Sequence, residues 1–441
     1  MASSISPNSL YRGTFICAAC VKQSQRSSAR VASRIQQYSA FSTRAPSTKT
    51  NHLTCRAGPI LPTSRSNTFA PIRLHRSLST AATAPAPASA GLAHLFSRRL
   101  VSLSGPDAAK FLQGLITNNV APERQTPFYA AFLDSRGRVL WDVFVWVYPQ
   151  LVAREGTWAC YIEVDGGEVD ALLKHLKRHK LRSKIAVKLV EEGEMSVWAA
   201  WGAQLEQLQG ERLVASLQDP RGFGTEDFGT RCLVQGKEAP SDSPVPVVEE
   251  QQYHLRRYLA GIPEGPLEIP RETALPMECN IDLSHGIDFK KGCYVGQELT
   301  IRTKHTGVVR KRILPVQLYT ATSSETTSTF TSNTDIPTPP SGADIKQLDE
   351  NGDIKKGRAA GKFIASMGNI GLAMCRLEMM TSMRISAEGG SWKPGVEFGL
   401  IVQGDGGEGE GEGEVVRMKP IVGQRFRERE RDVWDKNRTR V

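Results

Sequence analysis

Past about residue 90 the chain alternates short apolar runs with polar breaks, and the period of each run predicts an element. Residues 101–103 read as a short strand. Ser104-Gly105-Pro106-Asp107 then makes a turn and cap into a helix over 108–115, with Phe111, Leu112 and Leu115 on one face. Strands at 128–133 and 138–148 flank Asp134-Ser135-Arg136-Gly137, a hairpin-type turn with glycine where a positive φ is needed. Further strands are expected at 160–164, 185–190 and 196–200. Helices are expected at 169–180, 204–208 and 251–260, the last ending at Gly261. In the C-terminal third, 361–366 and 370–377 are apolar runs of strand length, consistent with a small β domain. Strands and helices in this irregular order predict an α+β class, not a doubly wound sheet.

Two stretches interrupt the pattern. Residues 321–342 are dominated by Ser, Thr and Pro, and 404–414 alternate Gly with acid. Both lack the apolar residues that offset the entropy of ordering, so both read as solvated, disordered inserts. No stretch approaches the ~18 uninterrupted apolar residues of a membrane span. The most apolar run, 139–148, is strand-length and is broken by Asp142.

Charge changes the picture at the N-terminus. The 441 residues carry a formal charge of +10, yet residues 1–90 hold eleven Lys or Arg and no Asp or Glu. The remainder has 45 basic and 46 acidic groups and is close to neutral. A near-neutral body argues against nucleic-acid binding, which needs a basic stripe in the folded part. The acid-free, Ser-, Thr- and Arg-rich leader has the composition of a mitochondrial transit peptide, drawn inward by a matrix-negative potential. Arg76-Ser77-Leu78-Ser79 has the form of a matrix-peptidase site, with residues 34–39 an earlier candidate. The expected organisation is therefore a leader over 1–78, an Ala/Pro linker over 79–91, a main domain over 92–315 and a C-terminal β domain over 316–441. Eight scattered cysteines favour a reducing compartment over a disulfide scaffold. Cys17-x-x-Cys20 lies in the leader with no second pair and carries no weight as a metal site.

The densest chemistry lies between Pro270 and Thr306, in the run Lys291-Gly292-Cys293-Tyr294-Val295-Gly296-Gln297-Glu298. Gly292 and Gly296 bracket a thiol and permit tight turns. Lys290 and Lys291 would favour thiolate, the reactive and metal-binding form. Gln297 and Glu298 open an element with an acid near its start, as a helix N-terminus prefers. Chemistry alone leaves Cys293 as a nucleophile, a soft-metal ligand or a buried structural cysteine.

This octapeptide resembles the signature of the YgfZ branch of the GcvT-like, folate-binding aminomethyltransferase superfamily. Ordered similarity continues through Arg256-Arg257-Tyr258-Leu259-Ala260-Gly261-Ile262-Pro263-Glu264 and Pro276-Met277-Glu278. It reaches back to Phe111-Leu112-Gln113-Gly114-Leu115-Ile116-Thr117-Asn118 and Asp134-Ser135-Arg136-Gly137-Arg138-Val139, so it spans about half the chain. The resemblance implies a GcvT/YgfZ-like α+β ring of subdomains around a central folate-like cavity, with a β-barrel-like C-terminal domain. It implies an iron–sulfur assembly role in the mitochondrial matrix beside A-type scaffold proteins, serving [4Fe–4S] clients of the aconitase and lipoate synthase type. Cys293 is then a ligand of a transient cluster shared with the scaffold, since one cysteine cannot hold a cluster alone. By the same resemblance Asp142, Arg257, Lys291, Tyr294, Gly296, Gln297 and Glu298 are expected at a tetrahydrofolate or cluster site. Asp142 stands where the transferases place a carboxylate near folate. Leu259 departs from the family, occupying the place of a pterin-binding Glu. A folate-dependent one-carbon transferase and a non-catalytic folate-binding regulator are the rival functions.

Other signals weigh less. His175 and His179 have helical metal-site spacing but sit among lysines with no nearby acid, and read as a solvated basic face or a docking patch. Gly222-Phe223-Gly224 lacks the third glycine of a dinucleotide loop, and Ser284-His285 lacks the glycines of a nucleophile elbow.

Overall fold

A computed structural model describes residues 87–202, 208, 210–222, 228–240, 243–306, 308–321, 330–332, 336–386, 390–402 and 413–438. The leader, its cut near Leu78, Cys17-x-x-Cys20 and most of the linker lie outside the described residues. So do nearly all of the helix expected at 204–208 and part of Gly222-Phe223-Gly224.

In chain order the first elements are β1 (Gly91–His94), β2 (Arg98–Ser104), α1 (Ala108–Gln113), β3 (Phe128–Leu133), β4 (Val139–Trp146), α2 (Pro149–Glu155), β5 (Ala159–Asp165), α3 (Val169–Lys180) and β6 (Ala186–Leu189). Next come β7 (Met195–Trp201), β8 (Leu213–Gln218), β9 (Thr230–Gln235), β10 (Val247–Val248), α4 (Glu250–Ala260) and α5 (Gln297–Thr306). The C-terminal part holds β11 (Lys311–Tyr319), β12 (Asp344–Gln347), β13 (Gly361–Met367), β14 (Ile370–Arg376), α6 (Leu377–Met380), β15 (Phe398–Val402), β16 (Glu414–Pro420) and α7 (Gln424–Arg438). The α+β expectation holds.

The first sheet has the order β3-β4-β5-β2-β6 and the second β10-β1-β7-β9-β8. Strand parity decides what each sheet buries. In β4 all eight residues are buried, because both faces are covered. Val143 and Val145 face α1 and α3, whereas Phe144 and Trp146 join the core shared with the second sheet and the barrel. Asp142 has the parity of Phe144 and Trp146, so it points inward from an inner strand, not to solvent. The strand stops at Trp146, short of the expected 148, because Pro149 opens α2. α1 likewise ends at Gln113, and α4 ends on Gly261 in the left-handed region.

Strands β11-β14-β13-β12-β15-β16 close into a barrel with no free edge. Of the described residues of the Ser/Thr/Pro segment, a few are tied to this barrel while Thr338, Pro340, Ser341 and Gly342 are exposed. Phe330 and Ile336 pack against its core, and the Thr331 amide donates to Asn369 Oδ1 at 2.7 Å. These two side chains and one amide are points of attachment within the stretch expected to be a solvated insert.

Candidate functional site

Three stretches far apart in sequence meet around Cys293. The turn after α1 is laced to residues 285–295. The Asp288 amide donates to Thr117 O at 3.1 Å, the Val295 amide to Gly114 O at 3.1 Å, and Asn118 Nδ2 to His285 O at 2.8 Å. Lys291 Nζ donates to the carbonyls of Gln113, Ile116 and Asn118 at 2.9, 2.7 and 2.7 Å. The Gln113 carbonyl is left over where α1 ends and the other two belong to the turn that follows, so the side chain ties the helix end to its turn. Burial pulls the Lys291 amine down to about 7. The three carbonyls, which a neutral amine with two N–H groups cannot all satisfy, act against that. This ammonium is committed to backbone oxygens, which differs from the expectation that it serves the neighbouring thiol.

The other end of the loop is fixed by glycines. Gly296 (φ +80°) lies against the β3–β4 turn. A Cβ there would stand 2.8 Å from Leu133 Cβ and 3.1 Å from Gly137 Cα. A Cβ on Gly137 (φ +81°) would meet Gly296 O at 2.9 Å and Leu299 Cβ at 2.9 Å. Two left-handed glycines thus touch across the join, and neither tolerates a side chain. The Asp134 carboxylate holds the turn by accepting from the Arg136 and Arg138 amides at 2.8 and 2.9 Å. Gln297 Oε1 accepts from the Tyr294 amide at 3.3 Å as α5 begins, and Glu298 is exposed on its first turn. Tyr294 is buried under the loop, with Lys291 Nζ 4.9 Å from its ring centroid.

Between these anchors Cys293 is exposed. The other described cysteines, Cys160, Cys232, Cys279 and Cys375, are buried. Burial raises all four thiols, Cys232 and Cys375 to about 12, which leaves them inert. Among the described residues no group of three His, Cys, Asp or Glu side chains is placed to hold a metal. His175 and His179 are no exception. His175 packs edge-on against Trp141 and is pulled down to about 4, chiefly by burial.

Asp142 and Arg257 belong to a separate, interior polar centre. Arg98, Asp142 and Glu163 lie on the inward face of the first sheet, and Arg231 of β9 faces them from the second. Glu163, fully buried, accepts from Arg98 Nε at 2.8 Å, Arg231 Nη2 at 2.5 Å and Trp146 Nε1 at 3.1 Å. Glu264 accepts from Arg221 Nη1 at 2.6 Å, Arg231 Nη1 at 3.1 Å and Tyr253 Oη at 2.8 Å. Burial alone would raise the Glu264 carboxyl, but Arg231, Arg221 and Arg98 outweigh it and hold it well below the usual range. Asp219 pairs with Arg221 at 2.6 Å, so three guanidiniums face three carboxylates. Asp142 is the fourth acid. Its Oδ1 accepts from the Gly265 amide at 3.1 Å, its Oδ2 is buried without a partner, and burial raises its pKa. Arg98 Nη1 and Nη2 are equally buried and unpartnered. Arg257 is held by Glu268 at 2.7 Å and by Ile262 O at 2.9 Å. Among the described residues no hydrogen bond or ion pair joins this centre to the Cys293 loop. Sequence reading missed Arg98, Glu163, Arg221 and Arg231. For Arg98, Glu163 and Arg231 the only signal is a charge at an inward parity of a strand; Arg221, in the turn after β8, carries none.

Similarity to known proteins runs along most of the chain. Residues 310–396 match the CAF17 C-terminal beta-barrel domain. A protein of Phaeosphaeria nodorum named as a mitochondrial iron–sulfur cluster assembly factor IBA57 homolog is 48% identical over 382 residues, covering 85% of this chain and 90% of its own length. A homolog of the same name from Aspergillus clavatus is 44% identical over 347 residues, covering 71% of this chain and 76% of its own. The glycine cleavage system aminomethyltransferase T of Bartonella henselae superposes with a TM-score of 0.51 at 15% identity, over 77% of this chain and 87% of that one, which shows the GcvT-like fold alone. With that fold, that barrel and close identity over most of its length, the chain belongs to the IBA57 family of mitochondrial iron–sulfur cluster assembly factors.

Proposed function

We propose that the protein works in the mitochondrial matrix with A-type scaffold proteins in the maturation of [4Fe–4S] enzymes of the aconitase and lipoate synthase type, through Cys293. The observation that supports this is the exposed thiol on a loop fixed at both ends by Lys291 and Gly296. Thiolate is the preferred ligand of cluster iron. A single presented cysteine suits a cargo cluster whose remaining ligands come from the scaffold. The test is complementation in cells lacking the protein, with Cys293→Ser expressed at parental levels. Loss of aconitase activity and of protein lipoylation is expected. Restoration of both by the serine variant would refute the role of the thiol.

A second reading draws on the interior centre. Asp142 Oδ2 needs a donor, and Arg98 Nη1 and Nη2 need an acceptor. A pterin amide edge offers both, so these residues fit tetrahydrofolate, which when bound would supply one-carbon chemistry or serve as a regulatory ligand. Leu259, partly buried against the core, offers no acceptor of its own. Titration with tetrahydrofolate should show binding that Asp142→Asn weakens and Leu259→Glu strengthens. Absence of binding by the parent removes this reading and leaves the first intact.

A further inference from the structure

We propose that the end of α3 and the loop after it form a peripheral docking face for an anionic phospholipid surface, with Leu181 as its apolar tip. The inference is independent of Cys293. Lys174, Lys177, Arg178, Arg182 and Lys184 are exposed and Lys180 is half-exposed, and none of the six is in an ion pair among the described residues. The buried face of α3 is Val169, Leu172 and Leu176, so the helix is already seated on the fold and its charges are turned outward. The nearest acid on the helix, Asp170, lies at its opposite end.

Leu181 makes this more than a solvated basic face. It leaves 87% of its surface in water, at φ +44° and ψ −114°, a backbone corner normally left to glycine. A leucine there accepts strain and gains no packing in the isolated chain. Exposure of one leucine is ordinary by itself; it is the strained backbone beneath it that points to a contact made elsewhere. Four of the six cations are lysines. Protein interfaces are depleted in lysine and enriched in arginine, whereas mobile lysines suit a fluid layer of phosphate headgroups. A leucine projecting from a basic rim is the shape that enters the headgroup region while the charges remain at its surface. A duplex or single strand of nucleic acid would use the charges and leave the leucine unexplained.

The test uses the protein purified from mitochondria, so that the leader is in whatever state the organelle leaves it. It is mixed with phosphatidylcholine vesicles with and without phosphatidylglycerol, and partition is read by sedimentation. Binding is expected only to the anionic vesicles, and it should fall as salt rises. Each charge at the surface is worth about fivefold in partition, so Lys177→Glu with Arg182→Glu should cost at least about twentyfold. Leu181→Gly should weaken partition several-fold while melting no lower than the parent, because glycine relieves the strain. That pairing separates the tip from a folding defect. Equal partition onto both vesicle types, no partition onto either, or unchanged partition of the charge-reversed variant overturns the proposal. Binding to poly-glutamate without vesicle binding would assign the face to an acidic protein and overturn it as well.

Discussion

Replacing Gly296 by alanine tests how the thiol-bearing loop is held. The added Cβ would lie 2.8 Å from Leu133 Cβ and 3.1 Å from Gly137 Cα, and it also falls inside contact of the Asp134 carbonyl oxygen. Ordinary carbon–carbon contact is about 3.5–4.0 Å, so the loop and the β3–β4 turn must part by roughly half an ångström or more. Positive φ costs an alanine ~1 kcal/mol, and overpacking of this size costs ~1–3 kcal/mol, giving about 2–4 kcal/mol in all. Gly137→Ala acts on the same join, since its Cβ would meet Gly296 O at 2.9 Å. Once one variant has opened the gap the second pays little of the steric term, so the double variant should be less destabilised than the two singles added together. Urea unfolding of the four chains measures this, and the rate of Cys293 alkylation reports on the loop itself. A Gly296→Ala loss under ~1 kcal/mol, or full additivity, would refute the reading that two glycines clamp the loop.

Three further outcomes follow from the polar contacts. Lys291→Met strands three carbonyls at the end of α1 and in the turn after it and should cost about 1.5–3 kcal/mol, with Lys291→Arg recovering part of it; a neutral Lys291→Met would show that water satisfies those carbonyls equally well. Glu163→Gln leaves Arg98 and Arg231 facing each other around a neutral group and should lower stability by about 3–5 kcal/mol, measured by thermal unfolding. His254 is pulled down to about 4 by burial and by Arg257, whose Nη2 stands 2.8 Å from its Nδ1. Below pH 6.5 the unfolded chain therefore takes up a proton that the folded chain refuses. Stability should fall by roughly 1–3 kcal/mol between pH 6.5 and 4, and His254→Asn should flatten that limb; an unchanged slope would exclude His254 as its source.

How far the site could be read in advance depended on whether its residues carry a local signature. The loop around Cys293 did, because the glycine at 296 and the lysine at 291 are constrained by backbone geometry that leaves a fixed spacing, whereas a Cβ on Gly292, expected to serve a tight turn, would meet open space. Asp142 was legible as an anomaly, a carboxylate inside an apolar strand. Glu163 and Arg231 were not. In Ala159–Asp165 and Thr230–Gln235 the alternation of apolar and charged residues is the same whether the charged face meets water or an opposite charge on another sheet. Only the pairing of the sheets distinguishes the two. α7 escaped for a related reason. Its sequence reads as a fully solvated charged stretch, yet Phe426, Glu430 and Trp434, each one turn apart, form a buried stripe.

That stripe gives residues 424–434 unexpected weight. Trp434 Nε1 donates at 2.8 Å to Asp282 Oδ2, the carboxylate that also takes both nitrogens of the buried Arg312 fork at 2.9 Å. Lys304, from the helix that follows the Cys293 loop, stands 4.6 Å over the Trp434 ring, and Arg429 Nε reaches Leu283 O at 3.0 Å. A stop codon or frameshift just before Trp434 would remove none of the residues around the thiol, yet it would uncap the buried Asp282–Arg312 ion pair. Alleles truncated that late should behave as folding lesions with low steady-state abundance, not as mild losses of a dispensable tail.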